Sequence, residues 1–404
     1  MKRFFTMNEK TEVNMTIGID KIGFATSQFV LKLQDLAEAR GVDPEKFSKG
    51  LLLNEISIAP LTEDIVTLAA SASNSILTDQ EKEEIDMVIV ATESGIDQSK
   101  AAAVFVHGLL GIQPFARSFE IKEACYGATA ALHYAKLHVE NSPASKVLVI
   151  ASDIAKYGVG TPGEPTQGAG SVAMLITQNP RIMAFNNDNV AQTRDIMDFW
   201  RPNYSSTPYV NGVYSTQQYL DSLTTTWDEY KKRYDWTMGD FAAICFHLPY
   251  PKLALKGLRK MMDKTLSQEK QDSLQENFDK SILYSQMIGN IYTGSLFLGL
   301  LSLLENAENL KAGDKIALYS YGSGAVSEFF SGELVEGYEA YLDKERLSKL
   351  KQRTVLSVAD YEKVFFEEVQ LDESGSAQFA AYENQDYALV EIVDHQRRYS
   401  KVEK

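Results

Sequence analysis

The chain has 404 residues, enough for two or three domain-sized units, and a formal net charge of −15. That acidity excludes nucleic acid as a general partner and leaves room only for a local basic pocket, such as one for a phosphorylated small molecule. Two cysteines cannot form a disulfide framework and no run of about 18 apolar residues is present, so secreted and membrane-spanning classes fall away and a cytoplasmic enzyme is expected.

Residues 1–14, "MKRFFTMNEKTEVN", have a basic start but no apolar core and no small-residue cleavage site. They read as a polar extension. The fold is expected to start near Met15, with Met7 and Met15 as alternative starts. "MTIGIDKIGFAT" predicts a strand and turn, and "VLKLQDLAEARG" a helix with a glycine stop. "LTEDIVTLAASASNSIL" predicts a helix with acidic residues in its first turn, where they suit the dipole. "IDMVIVATES" is a continuous apolar, β-branched run, as a strand buried on both faces requires. Alternation of such strands and helices implies α/β layering.

An echo of pattern runs through the chain. Strand "MVIVAT" runs into Glu93. A small-residue helix follows, then a strand, Cys125, a helix, a polar loop and the strand opening at Lys146. Further on, strand "FAAICF" runs into His247. The helix "YPKLALKGLRKMMD" follows, then Asn290, a helix, a polar loop and the strand opening at Lys315. Two halves, 15–180 and 181–404, are therefore expected, with the crossover near residues 177–183. Each presents two polar residues at strand ends, in the same order. The C-terminal "RRYSKVEK" reads as a solvated tail.

Taken singly, these polar residues admit two readings. Cys125 stands at a strand-to-helix turn among small residues, where unpaired N–H groups and the helix dipole favour a thiolate; the alternative is a buried structural thiol, which Cys245 fits better. His247 is either a catalyst or a core histidine. Glu93 is either a helix cap or a buried acid/base carboxyl. Lys252, Lys256, Arg259 and Lys260 lie along one helix face and make either a phosphate contact or a solvated surface. "GVGTPG" matches G-x-G-x-x-G, but "SDIAKY" separates it from its strand, and Pro162 and Pro165 prevent a helix from opening there. No P-loop, H-E-x-x-H or paired C-x-x-C occurs, so neither a nucleotide cradle nor a metal is expected.

Five segments in order decide between these readings: "ATESGID", "EACYGATAAL", "FHLPYPK", "GNIYTGS" and "YSYGSGA". Together they resemble the bacterial type of the hydroxymethylglutaryl-CoA synthases, within the thiolase superfamily, over the chain from Met15 onward. The resemblance implies a five-layer αβαβα fold of two similar halves, commonly dimeric. It implies that acetyl-CoA acetylates Cys125, that a carbanion equivalent of the acetyl methyl attacks acetoacetyl-CoA, and that hydrolysis releases HMG-CoA for the mevalonate route to isoprenoids. Glu93 would take the methyl proton, His247 would polarise or protonate the acetoacetyl oxygen, and Asn290 would orient the second acyl chain. The backbone N–H groups of Cys125 and Ser323 would form an oxyanion hole. Thr166, Ser215, Lys252 and Lys256 match positions that line the CoA and acyl pocket, with Lys256 as the phosphate contact. The CoA thioesters are substrates, so no cofactor is implied. Trp200 and Arg201, in "DFWRPNY", look like a pocket wall with no assigned role. A ketoacyl synthase would place "QAN" after its histidine, a thiolase would add a C-terminal catalytic cysteine, and a non-catalytic acyl-CoA-binding protein would leave Cys, Glu and His together unexplained.

Overall fold

The computed structural model describes residues 16–205 and 207–403. The expected polar extension and the start at Met15 lie outside the described residues.

One mixed sheet of ten strands forms the frame. The elements that position the site are, in chain order, β1 (Ile17–Ala25), α1 (Ile65–Asn74), β2 (Ile85–Ala91), α2 (Ala102–Leu110), β3 (Arg117–Ile121), α3 (Gly127–Asn141), β4 (Lys146–Ala155) and β5 (Gly168–Gln178). They continue with β6 (Met183–Phe185), β7 (Val190–Thr193), α4 (Gly212–Tyr234), β8 (Ala243–Phe246), α5 (Pro251–Met261), α6 (Ser295–Asn306), β9 (Lys315–Gly322) and β10 (Val326–Leu334).

The strand order is β8-β9-β10-β6-β1-β5-β4-β2-β3, with β7 also paired to β10. Outward from β1 the sequence is β5 antiparallel, β4 antiparallel, then β2 and β3 parallel. Outward from β6 it is β10 antiparallel, β9 antiparallel, then β8 parallel. The pattern echo read from the sequence is thus an echo of pairing sense, and the second series simply lacks a counterpart of β3. The two series meet where β1 pairs β6 at Gly18↔Ala184 and Ile19↔Met183. Glycine is required there, because a Cβ on Gly18 would lie 1.9 Å from the Met183 carbonyl oxygen.

Alternation along each strand separates the layers. From β2, Met87, Ile89 and Ala91 face a central cluster that also holds Ala128, Ala131, Leu132 and Ala135 of α3 and Leu296–Leu304 of α6. Val88 and Val90 face the opposite way, onto α1 and α2. Across the molecule, Ile244, Phe246, Ala317 and Tyr319 face α4 and α5. The order helix, sheet, helix, sheet, helix is the five-layer arrangement. α6 is buried all round, as its sequence "SLFLGLLSLLEN" demands, whereas α5 buries Leu253, Ala254, Leu255 and Leu258 and exposes Lys256, Arg259 and Lys260.

Three local expectations change. The expected helix from Val30 begins only at Leu33, because Phe29–Lys32 is a strand pairing with Glu55–Ile58. The acidic pair of the next helix precedes it: Asp64 is the N-cap and accepts from the N–H groups of Val66 and Thr67 at 2.9 and 3.2 Å. The last residues are not a solvated tail: Gln396–Lys401 is a strand of a hairpin with Tyr387–Val393. Arg397 pairs with Asp64 at 3.3 Å, Tyr399 donates to Asp64 at 2.5 Å, and the Tyr399 ring packs on Phe105. That hairpin lies on the first half, beside α1 and α2.

Candidate active site

The functional side chains stand at strand ends because the strands that carry them run parallel. β2 and β3 pair in register up to Ala91↔Ile121. The residues that follow each strand therefore emerge together, Glu93 from one and Cys125 from the other. The Cys125 Sγ lies 3.1 Å from Glu93 Oε1, although 32 residues separate them. Cys125 occupies a tight turn into α3: Ala124 holds φ +40°, and Tyr126 N–H donates back to the Glu123 carbonyl at 2.9 Å.

The thiol behaves contrary to the sequence-based expectation. The start of α3 favours a thiolate, but burial pushes the Cys125 thiol well above its ordinary range, and the neighbouring Glu93 pushes it further. Two acidic groups in contact disfavour each other's ionisation, and together with burial this outweighs a helix end.

Glu93 is itself pushed up to about 8, first by burial and then by the charge of Asp153, while the Cys125 hydrogen bond and Arg201 pull the other way. Arg201 donates to the Glu93 carbonyl oxygen, which gives that residue a definite place in the wall. Asp153, on β4, is a buried hub. Its Oδ1 accepts from Thr92 Oγ1 at 2.8 Å, Ser94 Oγ at 2.8 Å and the Glu93 N–H at 2.9 Å. Its Oδ2 accepts from the Thr293 N–H at 3.0 Å and Thr293 Oγ1 at 2.5 Å. One carboxylate thus joins the Glu93 loop to the start of α6. The sequence reading missed it; its only signal was a lone Asp ending the apolar run "VLVIAS".

His247 follows β8, the counterpart of β2. It is 2% exposed, and its Nδ1 has no hydrogen-bond partner among the described residues. Burial pulls its imidazole down to about 3, so the ring is neutral. Its backbone is pinned on both sides, by the N–H donating to Tyr319 at 2.8 Å and the carbonyl accepting from Tyr219 at 2.9 Å. No hydrogen bond joins it to Cys125 or Glu93 among the described residues.

Asn290 precedes α6, as Cys125 precedes α3. Its Oδ1 accepts from the Tyr292 N–H and Ser295 Oγ at 2.9 and 2.8 Å, so its Nδ2 must be the donor to Tyr157 Oη at 2.9 Å. Thr166 supports this loop with its carbonyl, which accepts the Asn290 N–H at 3.1 Å; its own hydroxyl turns back to Gly163 at 2.8 Å. Ser323 lies between β9 and β10 and, with Glu93, Thr92, Lys156, Trp200 and Arg201, lines a cavity of about 700 Å³. Neither the Cys125 nor the Ser323 backbone N–H has an acceptor in hydrogen-bonding geometry among the described residues. Ser215, in the first turn of α4, sits 3.5 Å from Asp198, which also accepts from Tyr321 at 2.7 Å and the Gly324 N–H at 2.9 Å. Lys252 and Lys256 sit on α5 without an ion-pair partner among the described residues and do not line the cavity. The described residues hold no cluster of His, Cys, Asp and Glu that could bind a metal, and no helix among them is long and apolar enough to cross a membrane.

A Cys–Glu contact at the head of a thiolase-like helix, with a histidine at the equivalent strand end, fits the models of one family. The N-terminal model of hydroxymethylglutaryl-coenzyme A synthase matches residues 14–181, and the C-terminal model matches residues 189–275 and 258–401. The chain belongs to the hydroxymethylglutaryl-CoA synthase family. Members of this family are condensing acyltransferases. The hydroxymethylglutaryl-CoA synthase of Enterococcus faecalis is 55% identical over 360 residues, 89% of this chain and 94% of that one. A crystal structure of an HMG-CoA synthase complexed with CoA superposes with a TM-score of 0.95 at 68% identity, covering 96% of this chain and all of the other. A second, MvaS in complex with 3-hydroxy-3-methylglutaryl coenzyme A, gives a TM-score of 0.85 at 32% identity over 96% of this chain and all of the other. The family membership sets aside the ketoacyl synthase and thiolase alternatives.

Proposed function

We propose that this synthase condenses acetyl-CoA with acetoacetyl-CoA through an acetyl-Cys125 intermediate and supplies HMG-CoA to the mevalonate route in the cytoplasm. The observation that carries this reading is the 3.1 Å contact between the Cys125 sulfur and the Glu93 carboxyl. In its ionised form Glu93 accepts the thiol proton as sulfur attacks the acetyl thioester carbonyl. The tetrahedral oxyanion takes the free N–H groups of Cys125 and Ser323, and CoA leaves as its thiol with that proton. Glu93, again a carboxylate, removes a proton from the acetyl methyl group. The carbanion equivalent forms a bond to the ketone carbon of acetoacetyl-CoA as its C=O π bond opens, and the resulting alkoxide takes the proton back from Glu93 to become the 3-hydroxyl.

His247 serves the second substrate. As a neutral ring it polarises the ketone oxygen by donating a hydrogen bond rather than by delivering a charge. Asn290, with its amide orientation fixed, directs a donor at the same acyl chain. Water then cleaves the thioester at Cys125, so that acetyl-CoA, acetoacetyl-CoA and water give HMG-CoA and CoA. Lys252 and Lys256 hold CoA phosphates at the surface, and Thr166 and Ser215 line the acyl channel. No metal or further cofactor enters these steps.

A second copy of the chain is the expected partner. Among the described residues β3 is the last strand on its edge of the sheet, and Phe115, Tyr134 and Leu137 beside it are exposed. An open edge flanked by apolar side chains is suited to pairing with its own copy.

Intact mass tests the whole reading. Acetyl-CoA alone should add one acetyl group, and peptide mapping should place it on Cys125. Acetoacetyl-CoA should then remove it as HMG-CoA forms. Labelling at Cys245, or bound acyl-CoA with no covalent gain, would contradict the reading.

A further inference from the structure

One buried carboxylate takes no part in the chemistry above. Glu328, on β10, is 1% exposed and meets neither Lys nor Arg among the described residues. Its Oε2 accepts from the Tyr126 hydroxyl at 2.6 Å. Its Oε1 accepts from Asn189 Nδ2 at 2.6 Å and lies 2.5 Å from His133 Nε2. A buried carboxylate with no permanent cation is costly, so such an arrangement needs a compensating purpose or full hydrogen bonding.

Its partners share one stripe. Tyr126, Thr129 and His133 stand at i, i+3 and i+7 around the start of α3, the helix that carries Cys125 at its head. Thr129 donates to Ser320 at 2.8 Å, and Ser320 is the residue paired with Glu328 between β9 and β10. The rest of the inner face of α3 is Ala, Leu and Val. A polar stripe therefore docks onto one register position of the hairpin that carries Ser323. The same hairpin presses on the nucleophile turn from its tip: a Cβ on Gly322 would lie 2.6 Å from the Tyr126 nitrogen and 2.7 Å from the Glu123 carbonyl oxygen.

We infer that Glu328 is a positioning residue: by holding the Tyr126 hydroxyl, it fixes the turn at Cys125 and sets the Cys125 N–H against the Ser323 N–H, so that the two converge on one oxygen. The two oxyanion donors belong to different halves of the molecule, and a strap between them is what such a pair needs. Glu328 reaches the reacting atoms only through Tyr126. This inference rests on the reading of Cys125 as the acylated residue.

The test measures acetylation of Cys125 by acetyl-CoA alone, by rapid quench and intact mass, in the parent, Glu328→Gln, Tyr126→Phe and the double variant, with thermal midpoints alongside. Tyr126→Phe keeps the ring packing and Glu328→Gln keeps the shape, so both should fold. Each single variant should slow acetylation about 10- to 100-fold, approaching the loss of one oxyanion donor, while half-saturation for acetyl-CoA stays within about twofold. The double variant should be no slower than the worse single, because both break the same link. Unchanged acetylation in Glu328→Gln, or losses that multiply in the double variant, would overturn the inference while leaving the Cys125 reading intact. A parent that is not acetylated at Cys125 would overturn both.

Discussion

The ends of β2 and β8 are the same place in two similar units, and they carry opposite chemistry. Glu93 follows one and His247 the other, and burial is the largest influence on both, outweighing the pull of Arg201 on the Glu93 carboxyl. The carboxyl rises to about 8 and the imidazole falls to about 3. Both shifts lead to a neutral group, by the same desolvation acting on an acid and on a base. The difference assigns the work. A carboxyl poised near 8 can take and return a proton at working pH, whereas an imidazole at 3 stays unprotonated and acts by hydrogen bonding. At pH 7 about one Glu93 in ten is ionised.

The widest separation between the two strand ends should come from Glu93→Ala. Condensation should fall by at least about 100-fold, the lower end of general-base contributions. Acetylation of Cys125 should slow less than condensation, because the variant loses the acceptor for the thiol proton but also loses one of the causes that raises the thiol. Acetyl-enzyme should therefore accumulate, which quench-flow mass spectrometry reads directly. A folded Glu93→Ala that cannot be acetylated at all would make the carboxylate indispensable to the first step and remove the separation between the two half-reactions.

His247→Ala sharpens the other end. Loss of one hydrogen bond to the ketone oxygen should lower kcat/KM for acetoacetyl-CoA by about 10- to 100-fold, and acetylation should proceed as in the parent. Steady-state kinetics varied in each substrate separates these effects. A defect confined to acetylation would reverse the assignment.

Lys256→Ala tests a part of the account that faces outward. A charge-assisted phosphate contact at an exposed lysine should be worth about tenfold in KM for CoA thioesters. That defect should shrink with pantetheine thioesters, which lack the phosphates. Equal defects with both would place the lysine elsewhere in the reaction.

The smallest effect expected is at Ala124. Its φ of +40° is left-handed backbone, which costs a non-glycine residue about 1 kcal/mol. Ala124→Gly should fold and turn over at no less than the parent rate, and Ala124→Val should lower both the thermal midpoint and acetylation. Equal behaviour of the two would mean that the turn tolerates any side chain.

Much of this was legible in the sequence, for identifiable reasons. Continuous β-branched runs mark strands buried on both faces, so the ends carrying Glu93 and His247 could be found. Small residues after Cys125 mark a helix packed closely between two sheet faces. The contact between Cys125 and Glu93 was not legible as geometry, because it depends on the register Ala91↔Ile121. The thiol was misjudged for the same reason: a helix end is visible in one segment, but a neighbouring carboxyl from another strand is not. Asp153 and Glu328 were missed because each looks like an ordinary residue of a strand, and only the assembled halves give them partners. The C-terminal strand reads as a tail in the sequence because Arg397 and Tyr399 find Asp64 more than 300 residues away.

The most direct test of the central claim, that a half-buried Glu93 carboxyl raised to about 8 is the base for carbon–carbon bond formation, is the pH profile of a single turnover. Preformed acetyl-enzyme is mixed with saturating acetoacetyl-CoA between about pH 5 and 10, and HMG-CoA is quantified by rapid quench. A raised carboxyl is the base only when ionised, so the rate should climb with pH and level off with an apparent pKa of about 8. Acetylation of the sulfur removes the S–H hydrogen bond that pulled the carboxyl down, so the midpoint should not lie lower. A rate that is flat across this range, or that levels off near the ordinary carboxylate value of about 4.3, would contradict the account.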